Sequence, residues 1–218
     1  SYTYTNEKPT RNEITGNNAE QRYALAKFFL SQKPMQPNEI GLTPSNADYI
    51  LAGLMLEKVS GKTYKDLVLD FGKSIGIHFG FDYPNMTDTL QPYGHDANLQ
   101  PVLPFDNYKL NWLLSAGNIN ISIDEYTKFI LLQLIGLKEN TALLPKETFE
   151  KLLFGLPGFS FGWFNKTDSL TNHHIAYNTG NAGAFITYVE INKESDRAYI
   201  LFTNSSTAQT SAGIAILL

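Results

Sequence analysis

Apolar residues recur at helical spacing in separate windows over the first two-thirds of the chain. In residues 42–66, Ile50, Leu51, Leu54, Met55 and Val59 fall on one face with Glu57 and Lys58 toward water, which predicts a buried core helix. Pro44, after Thr43, suits its first turn, and Ser60-Gly61 supplies a left-handed stop. Thr63 to Asp66 has the spacing of a capping box, and Leu67, Val68 and Phe71 give the next helix its buried face. A shorter helix is expected over 20–30, from Tyr23, Ala24, Ala26, Phe28 and Leu30, stopped by Pro34 ahead of a loop marked by Pro37. The capping signature returns at Ser122-Ile123-Asp124-Glu125, followed by Tyr126, Phe129, Ile130, Gln133 and Leu134 as far as Gly136. Pro145 and Gly155 bracket one more helix over 146–153.

At Gly158 the period changes from helical to alternating. Phe159, Phe161 and Trp163 alternate with Ser160, Gly162 and Phe164 as one strand, and 184–191 and 197–203 form a hairpin across 192–196. A last helix starts near 207, capped by Ser205, Ser206 or Thr207. Helices followed by an antiparallel meander make an α+β chain. We expect one domain over 1–218, with a helical lobe over about 20–155 and a sheet with a terminal helix over about 156–218. Residues 1–19 lack periodicity and read as an extended lead-in over the surface. Residues 72–111, rich in Gly, Pro, Asn and aromatics, read as a long ordered excursion that could line a cleft, with Tyr83, Tyr93 and Tyr108 as wall candidates. A sheet of three or so strands has an edge and a face to cover, and the last turn is apolar without a cap. The expectation is a chain truncated at both ends, with a sheet edge that pairs with a missing segment or a partner chain.

Composition narrows the function classes. A hydrophobic fraction of 43%, a charged fraction of 17% and 26 Phe and Tyr residues describe a folded chain rather than a disordered one. A net charge of −4 offers no basic field for nucleic acid or an anionic membrane, and no stretch is long and apolar enough to span one. Zero cysteines remove disulfides and thiolate metal ligands. His173 and His174 are adjacent and point to opposite faces of a strand, and His78 and His95 lack a second ligand at useful spacing, so no metal or other cofactor is assigned. Asp82, Asp96 and Asp106 are the carboxylates a glycosidase would need, without spacing that favours that chemistry.

The order of landmarks resembles the serine β-lactamase and penicillin-binding-protein superfamily, in its class C-like and esterase-like branch. Pro44-Ser45-Asn46, then Tyr49 to Gly53 and Leu56 to Lys62, are similar to the family's Tyr-x-Asn motif and the core helix it opens. Ser115-Ala116-Gly117-Asn118 with Ser122, Asp124 and Phe129 resembles a second family segment. Tyr177 to Phe185 occupies the place of the Lys/His-Thr/Ser-Gly strand, followed by Ile200 to Asn204. The resemblance implies a β-lactamase/transpeptidase-like fold and acyl transfer, in which a serine with a lysine three residues on attacks an amide or ester carbonyl. It implies that Asn46 binds substrate or orients the lysine, that Asn178, Thr179 and Gly180 line the substrate, and that the Asn181 N–H donates to the oxyanion.

The pattern also departs from the family. Pro44 stands in place of the tyrosine, Asn178 in place of the cation, and no serine here has a lysine three positions later. The resemblance therefore implies a β-lactamase-related serine acyl hydrolase whose nucleophile segment lies outside this chain. Its substrate would be a peptidoglycan-type peptide, a β-lactam or a small ester, and the chain alone would be inactive. The alternative is a non-catalytic β-lactamase-like binding protein. The family's usual setting implies a periplasmic, cell-surface or secreted protein that meets a small-molecule or peptide substrate.

Overall fold

The computed structural model describes residues 2, 6–33, 44–86, 88–103 and 108–217. The stops expected at Pro34 and Pro37, the Thr43 approach to the core helix, and Asp106 lie outside the described residues. In chain order the elements are α1 (Asn18–Ser31), α2 (Asn46–Ser60), α3 (Tyr64–Ile75), β1 (Gly80–Phe81), β2 (Gly94–His95), β3 (Pro101–Val102), α4 (Tyr108–Trp112), α5 (Leu114–Gly117) and β4 (Ile119–Asn120). They continue with α6 (Ile123–Lys138), α7 (Lys146–Phe154), β5 (Phe159–Ser160), β6 (Trp163–Thr167), β7 (His174–Asn181), β8 (Ile186–Asn192), β9 (Arg197–Thr203) and α8 (Ala208–Leu217). The chain forms two compact units, one of residues 1–92 and 103–120, the other of 93–102 and 121–218.

In the first unit the helices begin where local chemistry satisfies their free N–H groups. Asn17 and Glu20 form a full capping box for α1, Ser45 accepts from Ala47 N–H ahead of α2, and Thr63 accepts from Asp66 N–H ahead of α3. Gly61 and Gly76 end α2 and α3 with φ of 69°. The core holds Leu25, Ile50, Trp112 and Leu113, joined by Tyr2 and Ile14. The lead-in is thus anchored rather than laid over the surface: Tyr2 is 5% exposed and its ring meets Phe29 and Trp112. The partly buried pair Arg22–Glu57, at 2.8 Å, ties α1 to α2, and the same carboxylate accepts from the Tyr64 N–H that opens α3.

The buried face expected for α2 needs correction. Met55 is 68% and Val59 89% exposed, while Ile50 and Gly53 are buried and Glu57 faces Arg22 instead of water. Close approach explains the rotation. A Cβ on Gly53 would lie 2.2 Å from Ser115 Oγ, and that hydroxyl donates to Tyr49 C=O at 2.8 Å, so α2 docks on α5 through its small residue.

In the second unit β5 to β9 form a five-stranded antiparallel sheet in sequential order, more strands than the three expected. The single strand read through Phe159–Phe164 is two strands. Phe161 (φ 38°) and Gly162 (φ 98°) make a two-residue turn that pairs Ser160 with Trp163, and both central residues lie at positive φ as such hairpin turns require. Ala176, Val189 and Ile191 pack one sheet face on Ile130 and Leu137 of α6 and on Phe149 and Leu153 of α7. Gly136 in α6 admits the Phe149 ring, which a Cβ would meet at 2.3 Å. The expected β8–β9 hairpin is present, with Ile186 opposite Thr203 and Asn192 opposite Arg197. Among the described residues no helix is long and apolar enough to cross a membrane.

Candidate active site

The residues singled out by the family motifs fall in different units: Asn46 in the first, and Asn178, Thr179, Gly180 and Asn181 in the second. Asn46 is the first residue of α2, and its Nδ2 donates to the Tyr2 carbonyl at 2.7 Å. The amide is therefore oriented from the chain's second residue, whose ring is held in the core. Nothing in the periodicity of residues 1–19 signalled that role for Tyr2. The motif segment at Ser115–Asn118 also has packing duties. Ser115 receives α2, and buried Asn118 clamps Asp82, accepting from its N–H and donating to its carboxylate, both at 2.8 Å. Lys65 completes the clamp on Asp82 at 3.2 Å.

The end of β7 gives the site its backbone chemistry. His174 C=O accepts from Lys193 N–H and Ala182 N–H donates to Phe185 C=O, so even-numbered residues exchange hydrogen bonds with β8. His173 C=O accepts from Asp168 N–H, so odd-numbered residues face β6. The last register pair of β6 with β7 is Phe164 with Tyr177. Beyond it the main-chain groups of Thr179 and Asn181 face away from β8 on a sheet edge that β6 no longer covers. Thr179 N–H is taken by the Asn178 side-chain oxygen at 2.7 Å, whereas neither neighbouring strand supplies an acceptor for Asn181 N–H. The Asn181 side chain turns back to accept from Gly183 N–H at 2.8 Å, which shapes the β7–β8 turn and leaves its own N–H outward.

Strand alternation separates the three substrate-lining candidates. Thr179 stands opposite Tyr188, on the face away from the α6–α7 core, while Asn178 and Gly180 belong to the face that Ala176 buries. The Thr179 side chain therefore lies on the opposite face of the sheet from that of Asn178. Gly180 is required by its neighbour, since a Cβ there would lie 2.5 Å from Thr187 Oγ1. Asn178 Nδ2 donates to Gly162 C=O, so its amide is satisfied at both ends.

Five of the described tyrosines hold their phenol protons more tightly than usual. Burial pushes Tyr2 and Tyr126 up to about 12, and it is also the first cause of the upward shifts of Tyr49, Tyr64 and Tyr188. Two of the histidines have partners within the fold: His174 Nδ1 meets Glu194 at 2.7 Å and His95 Nδ1 meets the Asn204 carbonyl at 3.0 Å. Among the described residues no group of three His, Cys, Asp or Glu could hold a metal ion. Of the glycosidase candidates, Asp82 is clamped as above and Asp96 accepts from Asn98 and Gln100 N–H groups within its own turn.

No protein-family model and no curated protein matches the sequence. Solved structures do match. An octameric penicillin-binding protein homologue from Pyrococcus abyssi aligns with a TM-score of 0.66 at 20% identity, over 86% of this chain and 44% of its own. D-amino acid amidase from Ochrobactrum anthropi, complexed with D-phenylalanine, gives 0.65 at 16% identity over 95% of this chain and 61% of its own. A β-lactamase/D-alanine carboxypeptidase from Pseudomonas syringae gives 0.67 at 15% identity over 93% and 65%. The chain thus spans between 44% and 65% of the length of these proteins. What the three share with it is one α+β architecture, a group of helices joined to an antiparallel sheet.

Proposed function

From the premise that this chain has the β-lactamase/transpeptidase fold of the serine β-lactamases and penicillin-binding proteins, we propose that it is the acyl-binding body of a serine acyl hydrolase. The substrate is a peptidoglycan-type peptide, a β-lactam or a small ester, and the nucleophile sits on a Ser-x-x-Lys segment outside these 218 residues. The serine Oγ attacks the carbonyl carbon while its proton passes to the lysine, and the tetrahedral oxyanion accepts from Asn181 N–H and from the N–H of the nucleophile itself. Asn46 holds the substrate amide or the lysine, Thr179 and Gly180 line the acyl group, and the Asn178 amide gives that wall a neutral surface. Such substrates place the protein in the periplasm, at the cell surface or in the medium. The observation that carries the reading is the outward N–H of Asn181, for which neither neighbouring strand supplies an acceptor. The exposed apolar positions Met55, Leu56 and Val59 on α2 offer a face that a further helix would cover.

Asn178, with its amide satisfied by Gly162 and Thr179, and Pro44 favour a second reading, a binding protein that has lost its chemistry. Labelling with a fluorescent penicillin and a fluorophosphonate separates the two. In the hydrolase the product of the full reading frame is labelled at the serine of a Ser-x-x-Lys segment, and the 218-residue chain stays unlabelled. Labelling of a serine within these 218 residues overturns the assignment of the nucleophile. A full-length product that binds peptide yet takes no label establishes the second reading.

A further inference from the structure

The contact between Asn178, Gly162 and Thr179 does more than satisfy the Asn178 amide. Continued in register, β6 and β7 would place Gly162 opposite Thr179, and Thr179 N–H would donate directly to Gly162 C=O. The turn at Phe161-Gly162, with φ of 38° and 98°, draws Gly162 out of the strand, and the Asn178 side chain fills the gap. Its Nδ2 donates to Gly162 C=O and its Oδ1 accepts from Thr179 N–H, so one side-chain amide takes the place a peptide group would occupy between the two.

We infer that Asn178 is a latch and the specificity-determining residue of the β7 edge: an internal amide that holds the slot between Gly162 C=O and Thr179 N–H until an extended secondary amide displaces it. With the latch in place the edge presents one outward donor, Asn181 N–H. With the latch swung aside it presents two, Thr179 and Asn181, about 6.8 Å apart, the repeat of alternate residues in an extended peptide. The acceptor at Gly162 then receives the ligand's own N–H. Small acyl compounds that need one donor are admitted without opening the latch, and a peptide gains by opening it. The ligand class rests on the function proposed above, whereas the latch itself does not.

Amide hydrogen exchange and side-chain 15N NMR of the 218-residue chain test it. In the wild type, Thr179 N–H is protected although the residue is exposed, and the Asn178 NH2 resonances are widely split and exchange slowly. Asn178→Ala speeds Thr179 exchange by about tenfold or more, the loss of one hydrogen bond with nothing in its place, and leaves Phe164 and Tyr177 unchanged. Unchanged Thr179 protection in Asn178→Ala overturns the latch, because Gly162 would then close the ladder directly. Asn178→Asp keeps the acceptor and loses the donor, so Thr179 stays protected while the Gly162 resonances move; Gly162 resonances identical to the wild type also overturn it.

Titration with N-acetyl-D-alanyl-D-alanine tests the ligand. Shifts at both Thr179 and Asn181 in Asn178→Ala, at lower concentration than in the wild type, support an amide-filled slot. If exchange supports the latch and the dipeptide moves neither amide in either protein, the latch stands and the substrate reading of this edge falls. A shift of Thr179 in the wild type with the Asn178 NH2 resonances unmoved overturns displacement.

Discussion

The start of α2 and the end of β7 both carry a motif asparagine whose amide N–H is tied to a main-chain carbonyl, Tyr2 for Asn46 and Gly162 for Asn178. They differ in what the tie leaves behind. At α2 the neighbouring motif residues Gly53 and Ser115 are engaged in helix contact, so their presence is accounted for by packing alone. At β7 the neighbouring residues hold a backbone that the adjacent strand has abandoned, and packing gives no reason for an outward Asn181 N–H. Retained motif letters can thus report the fold in one place and an unfinished hydrogen-bond pattern in another. Only the second is an argument for chemistry.

The largest expected effect falls on the packing side of this contrast. Gly53→Ala drives a methyl into Ser115, whose Oγ and Cβ would lie 2.2 and 2.5 Å away inside the α2–α5 contact. Overpacking of that kind costs up to about 3 kcal/mol. Ser115→Gly in the same protein restores about 1 kcal/mol or more, because contacting sites couple. Urea denaturation of the four proteins of the cycle measures both. Additive costs would show that α2 does not dock through Gly53, and the motif residues there would again need a functional explanation.

This rotation of α2 shows where reading the chain fell short. Its stop at Gly61 and the caps at Thr63 and Ser122 were legible, because capping is decided within three or four residues, whereas its start was expected at Pro44 and falls at Asn46 with Ser45 as the cap. The docking face was not. Met55 and Val59 count as core in a periodicity argument, but the line that touches α1 and α5 passes through Ile50, Gly53 and Glu57, one apolar, one small and one charged. Glu57 is half-buried because Arg22, distant in sequence, waits for it. The β8–β9 hairpin was legible from strand-like composition, whereas the Phe161-Gly162 turn was hidden by an aromatic residue at positive φ, a conformation bulky side chains seldom adopt. The latch at Asn178 followed the same path out of sight, since it exists only where that turn leaves the sheet.

A smaller effect is expected at β7. Gly180→Ala places a methyl 2.5 Å from Thr187 Oγ1 on the opposing strand. The far atom belongs to a short side chain, so the cost is about 1–2 kcal/mol, and Thr187→Ala, which removes that hydroxyl, recovers most of it. Thermal unfolding of the single and double variants checks the pair. If Thr187→Ala gives no recovery, Gly180 is kept for backbone access at the edge rather than for its neighbour, which would move it to the chemical side of the contrast.

The smallest effect is a gain, and it tests how firmly the first residues belong to the helical unit. Tyr2 is buried with its hydroxyl unpartnered among the described residues, and burial together with Tyr108 pushes its pKa from 10.0 up to about 12. A buried hydroxyl without a partner costs about 1–3 kcal/mol, so Tyr2→Phe keeps the ring contacts with Phe29 and Trp112 and stabilises by about 1 kcal/mol. The pH dependence follows from linkage. The folded state holds the phenol proton up to about 12 while the unfolded chain releases it near 10, so the unfolded state binds fewer protons across that window. Tyr2 therefore leaves stability unchanged below pH 10, and stability falls as pH rises from 10 toward about 12. Tyr2→Phe removes that part of the alkaline slope and leaves the profile below pH 10 parallel to the wild type. Because the Asn46 amide is bound to the Tyr2 carbonyl and not to its phenol, the Asn46 side-chain resonances stay in place in Tyr2→Phe and move in Tyr2→Ala, which frees the segment from the core. Resonances that hold in both variants would place the orientation of Asn46 elsewhere and detach the lead-in from the site.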